Sequence, residues 1–207
     1  MWILIVVMML GFAFIIGFIA GHSISSRHNT GEAMVANTIS GGLQRPHLLL
    51  NNVTLPSGEN TSQIDHVLVM NTGIFVIETK HYTGWIFGDP HGDKWTQVIF
   101  RKKFKFQNPV RQNHSHLKTL QALFKLPANA FSSVVVFTGD AEFKTDLGPD
   151  VVNLPQLLEH LQAERPVLFD ERQMTYIVGR IEMKRMRRSI ETDEYHLNFV
   201  RRRLQAG

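Results

Sequence analysis

Residues Ile64–Lys80, IDHVLVMNTGIFVIETK, leave a chain little choice of fold. Two apolar runs, Val67–Met70 and Ile74–Ile77, flank a turn at Asn71–Gly73, the pattern of a β-hairpin. The second run is apolar at every position, with Ile74 and Val76 on one face and Phe75 and Ile77 on the other. Such a strand needs helices covering both sides of its sheet. Each run carries charge at the end away from the turn: Asp65 on the first, Glu78 and Lys80 on the second. Side chains alternate along a strand, so Glu78 and Lys80 share a face, and pairing about the turn sets Asp65 opposite Glu78 or one diagonal away. Two carboxylates at that spacing repel. A divalent cation between them makes the arrangement sensible; a rim salt bridge from Glu78 to Lys80 is the plainer alternative.

Around this hairpin the chain alternates strands and helices. Asn29 or Thr30 caps a helix that carries Glu32 in its first turn, buries Val35 and Ile39, and ends at Gly41-Gly42. Leu48–Val53 reads as a strand and Leu55–Thr61 as an exposed turn. Trp85–Gly88 and Trp95–Phe100 read as short strands about a turn at Asp89–Asp93. Asn108-Pro109 starts a helix running to about Phe124, with Leu117, Leu120 and Phe124 as its buried stripe. Ser132–Thr138 is a buried strand, a second lies near Val151–Val152, and a helix has Pro155 early in it. Asp170 and Gln173 cap another helix, running to about Arg187, and Thr192 caps a last one. The order of elements predicts an α/β layered domain.

The first twenty residues contain no charged side chain. As a helix, residues 2–20 would span roughly 28 Å, enough for a bilayer core. The stretch lacks the basic start of a signal peptide, so a retained transmembrane anchor is expected over residues 1–21, with a polar linker over 22–29. Arg27 and His28 follow the span and nothing basic precedes it, which puts the C-terminal domain on the cytoplasmic side. The absence of cysteine excludes disulfides, thiolate metal sites and cysteine catalysis.

A net charge of +4 and a pI of about 9.5 allow an anionic partner. The positive charge concentrates locally: Arg101–Phe106 (RKKFKF) interleaves basic and aromatic residues, and no acid occurs between Gln97 and Lys118. Arg101, Lys102, Lys103 and Lys105, with Arg111 beyond them, suit a phosphate backbone; an edge strand guarded by lysines is the alternative. Gln112 and His116, four apart, project from one helix face. By itself that pair reads as helix surface, and Glu32 as a carboxylate favoured by the helix dipole.

Asp followed at a distance by Glu-x-Lys is the active-site grammar of restriction-endonuclease-like metal nucleases. The wider pattern GEAMVAN, QIDHVLVMNTGIFVIETKHYTGWIFG and QNPVRQNHSHL resembles the nuclease-related domain (NERD) family, from about Thr30 to Phe124. The resemblance implies a central mixed β-sheet flanked by helices and metal-dependent phosphodiester cleavage. It sets the nuclease core at residues 30–126, with 127–207 an α/β and helical extension completing or packing on it. Asp65 and Glu78 match the family's metal-binding carboxylates, Lys80 its catalytic lysine, and Glu32 the acid on its leading helix. Gln112 resembles a helix glutamine of nuclease relatives; His116 stands where a tyrosine is expected, and Ile64 where a proline is.

Magnesium or manganese is the implied cofactor. It would be held by Asp65, Glu78 and the Thr79 carbonyl with Glu32 nearby, because such hard cations take a few protein oxygens and keep water and phosphate as other ligands. The expected function is a membrane-anchored nuclease acting on DNA. Its rivals are a catalytically idle nucleic-acid-binding or scaffold module, and a C-terminal lipid-binding segment through Lys184, Arg185, Arg187 and Arg188.

Overall fold

The computed structural model describes residues 30–58 and 60–186. Helix α1 occupies residues 30–42. Strands β1 (His47–Ser57), β2 (Asn60–Met70) and β3 (Gly73–Lys80) form an antiparallel meander. β4 (Gly84–Phe87), β5 (Lys94–Ile99) and β6 (Lys102–Gln107) follow, then α2 (Pro109–Gln121) and β7 (Phe131–Phe137). The rest comprises β8 (Ala141–Phe143), β9 (Val151–Asn153), α3 (Leu157–Gln162) and α4 (Glu171–Lys184).

The strands sort into two sheets rather than the single central sheet expected. A five-stranded sheet has the order β1-β2-β3-β7-β9, and a four-stranded one the order β6-β5-β4-β8. Both are mixed: β7 runs parallel to β3 and β9, and β8 parallel to β4. β3 lies at the centre of the larger sheet, and its two apolar faces meet two cores. Ile74 and Val76 pack with Leu117 and Leu120 of α2 and Met174, Ile177 and Ile181 of α4. Phe75 and Ile77 pack with Val35 and Ile39 of α1 and Leu157 and Leu161 of α3. The chain is thus a mixed α/β fold with helices on both faces of the central sheet, as the composition of β3 requires.

The four-stranded sheet lies on the α2 side. Its Ile86 and Trp95 pack against Val135 and Phe137, which share a face of β7, and Val110 of α2 joins them. Gly84 makes the change of direction from β3 into this sheet. Its φ is +82°, and a Cβ there would come within 2.4 Å of the Val98 carbonyl oxygen, so no larger residue fits.

Two further expectations are corrected. Leu55–Thr61 is not an exposed turn: β1 continues to Ser57, which pairs with Asn60, and Leu55 is fully buried. Of its polar residues, Asn60 is exposed, Ser57 half-buried and Thr61 buried. α2 ends at Gln121 rather than Phe124, which packs against the core from beyond the helix. The anchor expected at 1–21, the linker at 22–29 and the helix capped by Thr192 lie outside the described residues. Among the described residues no helix is long and apolar enough to cross a membrane.

Candidate active site

Strand alternation breaks where β2 meets the site. Ile64 and Val67, three apart, face the same core, as do Leu50 and Val53 on β1. The inversion falls at Asn52, whose φ is +53° and which lies opposite Asp65 in the register set by Asn51↔His66 and Val53↔Ile64. Asparagine is among the few residues that enter the left-handed region at low cost. Past this point β2 leaves β3: the last backbone pair is His66↔Ile77. In place of a further ladder bond, the Thr79 amide donates to Asp65 Oδ2 at 2.8 Å. The fork between the strands brings Asp65 to Glu78.

Glu78 and Lys80 lie on the α2 face of β3, paired in register with Val135 and Phe137. Lys80 Nζ donates to Glu78 Oε1 at 2.6 Å and to Gln112 Oε1 at 3.2 Å. His116 Nε2 stands 3.5 Å from the other Glu78 oxygen, an electrostatic contact rather than a full hydrogen bond. Its Nδ1 shares a 2.7 Å hydrogen bond with the Ser62 hydroxyl. A Ser62 that donates to Nδ1 leaves the imidazole proton on Nε2, facing Glu78. Gln112 and His116, helix surface when read alone, therefore hold the two partners of the central ion pair.

The charges are unequally compensated. Glu78 is buried, which disfavours its anion, but Lys80 and His116 outweigh that and hold its pKa at about 2. Lys80 is kept protonated, its pKa raised chiefly by Glu78 against the cost of burial. Asp65 has no such partner. Burial and then the Glu78 charge push its pKa well up, Glu32 adds to this, and the Thr79 amide and the Lys80 charge offset only part. Glu32, buried on α1, is close enough to act on Asp65 because α1 packs tightly over the ends of β3 and β7. A Cβ on Gly31 would sit 2.8 Å from Thr138 Oγ1 and 3.0 Å from the His81 Cβ.

Two asparagines fix α2 in place. Asn108 caps it through Oδ1, which accepts from Val110 and Arg111 amides, while its Nδ2 donates to the carbonyls of Asp89, Pro90 and Gly92. Asn113 is fully buried, and its Nδ2 donates to Val76 O, Val134 O and Ser133 Oγ, pinning the helix across β3 and β7. The sequence by itself singles out neither Asn113 nor Ser62 as part of the site. For Asn113 the signal was its position four before Leu117 on the buried stripe; Ser62 had none, since its direction depends on the inversion in β2.

The basic residues lie apart from this cluster. Lys102, Lys103 and Lys105 are exposed on β6, the edge of the small sheet, and Arg101 is in the left-handed turn before it. The edge-strand reading of this run describes its place in the sheet. Arg111, in the first turn of α2, pairs with Asp93.

Among the described residues no three His, Asp or Glu side chains are grouped so as to hold a metal unaided. The donors present nevertheless suit a hard cation. Asp65 is a buried carboxyl with no ion-pair partner of its own among the described residues, so its anion is disfavoured until a cation is near. Thr79 N–H points toward β2, and a strand residue's N–H and C=O point to the same edge, so its carbonyl faces Asp65 as well. Two carboxylates and a carbonyl make an all-oxygen set of the size magnesium takes from a protein.

A family model, the nuclease-related domain, matches residues 27–138, more than half of the chain. An uncharacterized protein of Bacillus anthracis is 44% identical over 96 residues. The match covers 46% of this chain and 45% of that protein, so this chain spans less than half of the relative's length. No solved structure matches.

Proposed function

The chain belongs to the nuclease-related domain family, and from that premise we propose that it is a metal-dependent nuclease that hydrolyses phosphodiester bonds in DNA. The observation that carries this reading is the fork between β2 and β3, where Asp65 meets Glu78 with Lys80 clamped between Glu78 and Gln112. A pure binding module gains nothing from a buried, uncompensated carboxylate.

In this reading Asp65, Glu78 and the Thr79 carbonyl hold magnesium or manganese, with Glu32 behind Asp65. When bound, the metal supplies Lewis-acid polarisation of the phosphate and lowers the pKa of an attacking water. The protein's own residues do the rest. Asp65 becomes a stable anion once a cation offsets the burial and the Glu78 charge that now raise its pKa. Lys80, a cation at any physiological pH, is not a base. It offsets negative charge that develops on the phosphate, where a preorganised donor is worth more than in water. Gln112 fixes its ammonium, and His116, itself steadied by Ser62, fixes the second oxygen of Glu78. Arg101, Lys102, Lys103 and Lys105 follow the phosphate backbone without reading sequence. Arg111 joins them after giving up Asp93, an exposed pair worth at most about 1 kcal/mol.

We propose also that residues 2–20 anchor the chain in a membrane with its domain on the cytoplasmic side; support for this is the uncharged run and the basic residues after it. Resistance of the full chain to alkaline extraction from membranes checks the anchor.

The activity is tested with the full-length chain purified in mild detergent and given duplex DNA, single-stranded DNA or RNA. Cleavage of DNA with magnesium or manganese, absent in EDTA and absent in Lys80→Ala, is expected. No cleavage of any of the three with either metal overturns the reading; binding in EDTA would then leave a tethered binding module.

A further inference from the structure

The outward face of the small sheet is built from two matching rows. Strand register aligns Trp85 with Val98 and Lys103, and Phe87 with Thr96 and Lys105. Each row therefore runs aromatic, small, lysine across β4, β5 and β6. The rings are not packed away: Trp85 is 49% and Phe87 37% exposed, while Ile86 between them is fully buried on the other face. Neither lysine has an ion pair among the described residues. Clustered exposed aromatics on a soluble face mark an interaction site more often than chance.

We infer that this face holds an unpaired stretch of nucleic acid, one base on Trp85 and the next on Phe87, with Lys103 and Lys105 against the phosphates. This rests on the reading of the chain as a nucleic-acid enzyme and narrows its substrate to one with a single-stranded segment beside the cut. The spacing favours a single strand over a duplex. Residues two apart on a strand are roughly 6.8 Å apart, whereas stacked bases in a duplex rise about 3.4 Å. Neighbouring bases must leave each other to occupy both rings. Row and site are also continuous in the chain: Gly84 follows Lys80 by four residues, at most about 14 Å of extended backbone.

One contact opposes the arrangement. Lys144 Nζ lies 4.8 Å over the Trp85 ring and pairs with Glu142, whose position is in register with Trp85. An exposed cation–π contact and an exposed ion pair are both weak, since solvent screens them. A base stacked on an aromatic ring buries both faces in contact and is the stronger interaction. Stacking displaces Lys144, whose ammonium then moves to the incoming phosphate. A lipid surface would also accept aromatics and lysines, but it has no use for one lysine in register with each ring.

The test measures binding of labelled oligothymidylate and of a blunt duplex of equal length to the full chain, in mild detergent with EDTA to prevent cutting. The readout is the ratio of the two affinities. Wild type is expected to prefer the single strand. Trp85→Leu/Phe87→Leu keeps the face apolar but removes both rings, and lowers the ratio at least tenfold. Trp85→Phe/Phe87→Tyr keeps the rings and retains the ratio. A ratio unchanged in the leucine variant overturns the platform, as does equal loss in both ring-bearing and ringless variants. Ring-dependent partition into phosphatidylglycerol micelles, with no ring effect on oligonucleotide, overturns it in favour of lipid. Metal-dependent cutting of duplex DNA is assayed alongside: if it persists while the ratio does not move, the platform fails and the nuclease reading stands.

Discussion

In the five-stranded sheet the charges at the site are buried and engaged, Glu78 by Lys80 and His116, and Lys80 by Gln112 as well. In the four-stranded sheet Lys102, Lys103 and Lys105 stand in solvent with no ion pair among the described residues. Buried charges act on one another strongly and must be held at fixed points. Exposed ones are screened by salt and attract whatever anion arrives. In the function proposed, one sheet does chemistry at a single phosphate and the other grips a length of backbone; a three-residue link from His81 to Thr83 separates the two kinds of surface.

Perturbing the buried side should cost most. Lys80→Met leaves Glu78 with only His116, and removing one member of a buried pair typically costs about 3–5 kcal/mol. Cleavage should fall by about a hundredfold or more, and thermal unfolding should come at least several degrees earlier. Adding Glu78→Gln should restore the unfolding temperature but not the cleavage. If Lys80→Met unfolds with the parent, the two sheets do not differ as described.

Asn113→Ala comes next. It removes the donors to Val76 O and Val134 O, and a buried hydrogen-bond partner lost in this way costs about 1–3 kcal/mol. Chemical denaturation should show that loss.

Asp65→Asn should act in the opposite direction. A carboxyl with a raised folded pKa binds its proton more tightly folded than unfolded, so stability falls as pH rises through that pKa. In EDTA the variant should therefore unfold at a higher temperature than the parent at pH 8, by a few degrees, and at nearly the same temperature at pH 4. Magnesium should raise the unfolding temperature of the parent and leave the variant unmoved. Glu78 has the reverse sign. Its contribution is full above the ordinary carboxylate range and is lost as pH falls toward about 2, so acid should destabilise the Asp65→Asn chain more simply than the parent.

The smallest structural effect belongs to the open sheet. Lys103→Ala and Lys105→Ala should change stability by less than about 0.5 kcal/mol, yet each should lower the slope of log affinity for DNA against log salt by about 1. A drop in unfolding temperature comparable to that of Asn113→Ala would mean that β6 is a structural edge rather than a grip.

Much of the buried side is legible in the sequence because short-range rules govern it. Apolar residues at every position of Ile74–Ile77 imply cover on both faces, and the structure supplies it with α1 and α3 on one side and α2 and α4 on the other. Asn108-Pro109 and Asp170 with Gln173 mark helix starts that appear as read. Hairpin register about Asn71–Gly73 brings Asp65 toward Glu78. What stays hidden depends on long-range geometry. The second sheet arises because Gly84 turns the chain away from β3, and a glycine followed by two short strands says nothing about which sheet they join. The Ser62–His116 contact depends on a face inversion that a strict period of two does not contain. Asn113 on an apolar stripe looks like a flaw until two strand carbonyls, Val76 and Val134, are brought beneath it.

Asn108 has a mechanical consequence. Its amide ties the loop between β4 and β5 to the first turn of α2, and Gln112 follows one turn later with its amide N–H donating to Asn108 O at 3.1 Å. The small sheet and the helix end that steadies Lys80 are thereby one stiff bracket, with no slack link between them. A load carried by the outer strands reaches the helix end that steadies Lys80 through Asn108, the Arg111–Asp93 pair and the packing of Val110, without crossing the five-stranded sheet.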